Sequence, residues 1–305
     1  MELRQLKYFI EVAKQEHISD AAETLHVAQS AVSRQIANLE SELGVSLLER
    51  EGRNVKLTPI GKIFAEHAMI GLKAIDNAKQ QIYEYLDPER GTIRVGFPSS
   101  LASHTLPNVI STFKKEYPHI GFHLRQGSNN FLINAIKQRD IDLAFIGPVP
   151  TRDPDIHGDI LFMEKIVVLL PETHPLATQT RLSLYQLAGE SFVFFPEGFI
   201  LREIAVNACL QAGFRPNIPF VGEDLDAIKG LVSAGIGVTL LPEITLYENL
   251  PKNTVKIQIL DPEVKRTVGL ISPRNRELPP SEKLFYDFVR HYFSMLSKHQ
   301  FSDFI

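Results

Sequence analysis

Between Gln29 and Gly44 the apolar residues Val32, Ile36, Leu39 and Leu43 recur at spacings of 4, 3 and 4. At about 100° per residue that spacing puts them on one face of a helix. Ser30, Arg34 and Ala37 fall opposite, with Ser33 on the flank. Upstream, Ser19 and Asp20 are N-cap types and predict the start of a shorter helix. Within it Ala21 and Ala22 admit close helix approach, while Leu25 and Val27 point inward. Ser30 predicts the start of the second helix, and His26 occupies the tight turn where glycine is usual. Residues 18–37 therefore have the layout of a helix-turn-helix. A helix with Gln29, Ser30, Ser33 and Arg34 near its N-terminal end is shaped for the major groove of double-stranded DNA, where Arg reads guanine and Gln reads adenine. A small helical bundle packed on a larger domain is the other reading of this pattern.

The next segment favours the first reading. Leu47–Leu57 reads as two short strands around a turn containing Gly52, with Val55 and Leu57 alternating and Arg53 at the tip. Arg53 is placed to reach a phosphate or the minor groove. Thr58-Pro59 then has the signature of a helix start, with Thr as N-cap and Pro at the first helical position. The helix is expected over 59–87 and spans about 40 Å. Ala68, Ile75 and Ile82 repeat every seven residues, as do Ala65, Leu72, Lys79 and Leu86. Leu72, Ile75, Ile82 and Leu86 are the expected contacts of a self-association seam, in a dimer or tetramer.

From Thr92 the pattern alternates between strand and helix periods. Ile93/Val95/Phe97, Ile120/Phe122/Leu124 and Ile141–Ile146 read as strands, separated by helices around Leu106–Phe113 and Phe131–Ile136. This βαβαβ order predicts a largely parallel sheet with helices on both faces. A second run follows: strands at Ile166–Leu170, Phe192–Phe195 and Val238–Leu241, with helices around Leu201–Cys209 and Leu225–Ala234. A strand at Thr267–Ile271 and a helix over about Pro280–Leu296 return to the first lobe. The fold class expected is α/β with an all-α winged helix-turn-helix head. A long linker helix joins that head to a two-lobed effector domain, a hinged clamshell like a periplasmic binding protein. The boundaries are 1–58, 59–87 and 92–305, with lobe 1 at about 92–161 and 266–305 and lobe 2 at about 162–265.

Ligands of open parallel sheets sit beyond the carboxyl ends of strands, where helix N-termini converge. That rule selects Ser99 and Ser100 after the first strand, Gly127-Ser128 after the second and Gly147-Pro148 after the third. In the second lobe it selects Pro196-Glu197-Gly198, ahead of a helix containing Arg202. A plain N-cap is the competing role for each serine. No G-x-S-x-G, H-E-x-x-H, C-x-x-C or P-loop occurs, and no histidine pair has metal-ligand spacing, so neither an enzyme nor a cofactor is expected.

Composition adds one conflict. The net charge is −4, and residues 1–58 carry seven Lys/Arg against nine Asp/Glu. A basic surface is the usual footprint of a nucleic-acid binder, so the DNA reading rests on motif geometry. It requires acids such as Glu11, Glu16, Glu40 and Glu42 to face elsewhere. With 305 residues, 44% of them hydrophobic, the chain is long enough for two or three domains. No apolar run suffices for a membrane span, the first residues show no signal peptide, and a single cysteine, Cys209, suits a reducing cytoplasm.

The segments Leu3–Phe9, Ala21-Ala22, Gln29–Ile36, Leu39-Glu40, Leu43-Gly44 and Leu57–Gly61 resemble the head of LysR-type transcriptional regulators, and the resemblance continues through the chain. It implies an inducer held by Ser99, Ser100, Leu101, Ser128, Gly147, Pro196 and Glu197, with RNA polymerase as a further candidate partner. His26–Ser30, Arg50–Asn54, Phe195–Phe199 and Gly222–Leu231 are similar to the members of that family that activate glutamate synthase genes. That similarity implies a small carboxylate effector, a 2-oxo acid or glutamate. A solute-binding module or an α/β enzyme with an unrelated helical appendage is the alternative.

Overall fold

The protein, described by a computed structural model over residues 1–52 and 54–302, divides into two compact units that meet in sequence between Leu86 and Asp87. In the first unit α1 (Leu3–Gln15) opens with a reciprocal cap between Glu2 and Gln5 and buries Phe9, Ile10 and Val12. Next come α2 (Ile18–Thr24) and α3 (Gln29–Leu43), then an antiparallel hairpin of β1 (Leu48–Glu51) and β2 (Asn54–Leu57). The final element is the long α4 (Pro59–Leu86). The apolar faces of α1, α2 and α3, together with Leu47, Val55, Ala65 and Ala68, form one core.

The helix starts differ from expectation. α2 and α3 begin after His17 and Ala28, not after Ser19 and Ser30, and neither start has a side-chain cap. Asp20 is instead engaged with the His17 ring at 2.8 Å. His26 holds the turn at φ +55°, in the left-handed region, and Val27 packs against the core, which fixes where α3 begins. Leu43, expected on the buried face, is 37% exposed in the last turn before Gly44. The cap of α4 is as predicted: the Thr58 hydroxyl accepts from the Gly61 N–H at 3.0 Å. A side chain at Gly61 would meet the Leu47 carbonyl oxygen at 2.0 Å, so only glycine lets α4 start this close to the hairpin.

In the second unit β3 (Thr92–Phe97), α5 (Thr105–Glu116), β4 (Gly121–Gln126), α6 (Asn129–Lys137) and β5 (Leu143–Ile146) alternate as read, and β3 pairs in parallel with both β4 and β5. β6 (Ile156–Pro171) is far longer than the Ile166–Leu170 strand expected. It is followed by β7 (Arg181–Ser183), β8 (Ser191–Phe194), α7 (Ile200–Gln211), β9 (Asn217–Val221), α8 (Leu225–Ser233), β10 (Thr239–Pro242), β11 (Thr254–Asp261), β12 (Lys265–Pro273) and α9 (Pro280–Ser302). The main sheet has the order β4-β3-β5-β12-β6-β11-β7, with β10 also on β6.

The βαβαβ run is parallel as expected, but the sheet it belongs to is mixed. β12 runs antiparallel to both β5 and β6, and β10 and β11 run antiparallel to β6. The cause is the passage between lobes. β6 leaves the first lobe and β12 returns to it, so the two run in opposite directions and pair antiparallel. Residues 156–165 of β6 pair with β12, and residues 166–171 with β10 and β11. One strand thus serves both lobes. Each lobe covers its strands with apolar clusters, around Phe113, Phe145 and Phe285 in the first and around Phe192, Phe194 and Leu187 in the second. Cys209 lies in the latter, where burial pushes its thiol up to about 12.

Candidate functional site

Val32, Ile36 and Leu39 are buried and fix the rotation of α3 about its axis. That rotation leaves Gln29, Ser30 and Arg34 exposed, with Ser33 half-buried beside them. Among the described residues no carboxylate pairs with Arg34. Arg53 lies outside the described residues. Several acids of the head are engaged elsewhere. The Glu40 carboxylate accepts from the N–H groups of Leu47 and Leu48 at 2.7 and 3.0 Å, pinning the hairpin to α3. Glu42 takes the N-terminal ammonium at 2.6 Å, Glu51 pairs with Lys56, and Glu11 accepts from Gln15 at 2.7 Å. The face of α3 thus presents a guanidinium, a carboxamide and hydroxyls, while several of the surplus acids have structural partners. A guanidinium donates bidentately to guanine O6 and N7, and a carboxamide donates to adenine N7 while accepting from its N6–H.

Along α4 the expected seam divides. Ala65 and Ala68 are buried in the head's own core, and Leu72 packs against it. Phe64 meets Phe9 at 5.5 Å between ring centroids. Sequence reading gave the start of this helix too little local surface. Beyond it Ile75, Ile82 and Leu86 are 36, 61 and 76% exposed, an apolar row without a partner in the described chain.

In the second unit the strand ends on the first-lobe side are tied together. The Gly127 N–H donates to the Phe97 carbonyl at 3.1 Å, and the Asn129 side chain donates to the Gly147 carbonyl at 3.0 Å. Ser99, Ser100 and Leu101 form one short turn after β3. Ser128 caps α6, its hydroxyl accepting from the Phe131 N–H at 3.3 Å. Pro196 is half-buried after β8. Glu197 stands apart from these, with a side chain 91% exposed and 3.5 Å from Arg202.

Three residues that the sequence did not single out form the floor. Arg266 on β12 donates to Glu164 on β6 at 2.5 Å and to the Ser100 hydroxyl at 2.8 Å. The Arg266 and Glu164 side chains are 1 and 3% exposed. Burial lifts the Glu164 carboxyl above its ordinary range, although Arg266 pulls the other way. The third, Thr267, accepts from the Val149 N–H at 3.1 Å. The second Arg266 terminal nitrogen, Nη1, is buried with no hydrogen-bond partner among the described residues, and the Arg266 Nε lies 3.4 Å from the Cβ position of Gly147. An unpartnered buried guanidinium nitrogen beside Ser100 and Gly147 is chemically a place for an oxyanion. Its only advance signal was a charge inside an apolar strand, Lys265–Pro273.

Residues 3–62 match the family described as "Bacterial regulatory helix-turn-helix protein, lysR family", and residues 86–294 match the "LysR substrate binding domain". The transcriptional dual regulator GltC of Bacillus subtilis (strain 168) is 64% identical over 300 residues, covering 98% of this chain and all of that protein. The DNA-binding transcriptional dual regulator OxyR of Escherichia coli (strain K12) is 29% identical over 89% of each chain. Among solved structures, full-length CbnR complexed with its target DNA superposes with a TM-score of 0.78 at 26% identity, over 95% of this chain and 99% of that one. The effector binding domain of QuiR in complex with shikimate superposes with a TM-score of 0.63 at 29% identity, over 68% of this chain and 98% of that one.

Proposed function

The chain belongs to the LysR family of DNA-binding transcriptional regulators, and from that premise we propose that it controls glutamate synthase genes in response to a small carboxylate. The 64% identity to GltC over essentially the whole chain carries this reading. Because that relative is named a dual regulator, the chain acts in both senses: it activates, as its family resemblance implies, and also represses. It does so in the cytoplasm, without catalysis of its own, with RNA polymerase as its partner at the promoter. The α3 face of Gln29, Ser30, Ser33 and Arg34 reads bases, and Arg53 of the wing adds a backbone contact. The domains run 1–58, 59–87 and 92–305, and the row of Ile75, Ile82 and Leu86, with Leu72, joins copies into a dimer or tetramer.

The effector, a 2-oxo acid or glutamate, sits between the lobes against Ser99, Ser100, Leu101, Ser128 and Gly147, with Pro196 and Glu197 on the far side. The unpartnered Nη1 of Arg266 supports an anion there. A ligand regulates only by preferring one conformation, and a tenfold preference supplies about 1.4 kcal/mol. Gel shifts with DNA upstream of glutamate synthase genes should show a specific complex whose affinity responds to 2-oxoglutarate or glutamate. A complex no tighter than with random DNA of equal length would refute the target. Unchanged affinity with both acids, alongside no heat in calorimetry, would refute the effector class.

A further inference from the structure

A separate cavity of about 430 Å³ lies in the second unit, within the size range of small-molecule sites. It is bounded by the first turn of α5, by residues 161–165 of β6 and by α9 on one side. On the other it is bounded by Tyr247 and the turn at Glu243–Leu246. None of the strand-end residues assigned above to the effector lines it, although Glu164, which pairs with Arg266 beneath them, is shared by both. Its walls are aromatic. Phe162 stacks on Phe293 at 5.1 Å between centroids, and Tyr292 meets Phe293 edge-on at 5.2 Å. Tyr247 stands opposite, edge-on to His104 at 6.3 Å.

Two of the residues lining it carry buried polar atoms with no hydrogen-bond partner among the described residues, Oγ1 of Thr105 and Oε1 of Glu164. Thr105 is 4% exposed and the Glu164 side chain 3%. A buried acceptor left unmade costs about 1–3 kcal/mol, so a ligand that satisfies it gains specificity as well as affinity. The charges narrow the class. Each carboxylate at the cavity already has its cation, Glu164 with Arg266 at 2.5 Å and Glu243 with Lys256 at 3.0 Å. A cationic ligand would find no uncompensated negative charge, and an anionic one would face two carboxylates against the exposed Lys165 of the same lining. We propose that this cavity is a second small-molecule site, taking a neutral, flat aromatic compound with one N–H or O–H donor directed at Glu164 and Thr105.

Indole is a suitable probe, because the chain contains no tryptophan and indole emission can be followed against the full-length protein. The expected result is saturable binding at one site per chain. 1-Methylindole, with more apolar surface and no donor, should bind about tenfold more weakly. Asn108→Phe, at an exposed position on the rim, should reduce indole binding at least about tenfold with an unaltered circular dichroism spectrum. Thr105→Val, a near-isosteric change, should weaken it severalfold. Non-saturable uptake of indole, equal binding of 1-methylindole, or full binding by Asn108→Phe would each overturn the proposal.

Discussion

The two units hold their charged side chains differently. In the head the partners are mostly close in sequence and only partly buried: Glu2 with Gln5, Glu11 with Gln15, Glu40 with the backbone of Leu47 and Leu48. Glu42 reaches the N-terminus from afar, but its side chain remains 52% exposed. In the second unit Arg94 and Asp142, 48 residues apart, pair at 2.5 Å, and Arg266 reaches Glu164 across 102 residues. Arg266 and Glu164 lie in the sheet, where exchange of water for protein is nearly complete, and Asp142 is buried just ahead of β5 beside a partly exposed Arg94. Exposed pairs contribute little individually. A buried pair adds little net stability when intact, yet losing one member strands a charge. The head can therefore drift in charge without losing its fold, whereas the second unit cannot.

Arg266→Met breaks this contrast most severely. It should destabilise the second unit by about 3–5 kcal/mol, seen as a drop in that unit's thermal transition with the head's unaffected. Adding Glu164→Leu should return most of the loss. A double variant as unstable as the single one would show that the stranded charge is not the cause.

Gly61→Ala should be the head's counterpart, costing about 1–3 kcal/mol because the added methyl runs into the fixed Leu47 carbonyl. Denaturant unfolding of the full chain checks it; a midpoint equal to wild type would mean that α4 shifts freely away from the hairpin. Arg34→Ala should leave both unfolding transitions where they are and cost about 1–3 kcal/mol in operator affinity, with relaxed preference at one base pair per half-site. Binding competitions between operator variants measure that, and retained selectivity would mean α3 docks by another face. The smallest effect belongs to Glu42→Gln, within about 0.5 kcal/mol by thermal unfolding. A larger loss would move the head toward the behaviour of the second unit.

The same contrast governs what could be read in advance. The head was legible because its cues are local: apolar spacing placed α3, Thr58-Pro59 placed the start of α4, and Gly52 marked the hairpin turn. Its helix caps were misplaced because Asp20 lies against the His17 ring and because core packing, not a capping hydroxyl, sets where α3 begins. The strands of the second unit were found where both faces are buried, as at Leu143–Ile146. The first part of β6 escaped because Ile160 and Met163 are exposed and His157 and Lys165 face solvent, so no simple alternation marks it. Most of the strand-end serines were selected by rule, yet the floor beneath them was invisible. Glu164 and Arg266 violate the expectation that charge stays outside, and only the folded sheet brings them together.

β6 has a mechanical consequence. Its hydrogen-bond ladder is committed to β12 over one stretch and to β10 and β11 over the next. Slipping either ladder by one residue would turn every side chain of that stretch to the wrong face. Translation of one lobe past the other along this strand is thereby forbidden, and twist about its axis is the soft coordinate that remains. The strand behaves as a torsion bar: torque applied at one end arrives at the other as rotation, whichever ligand supplies it.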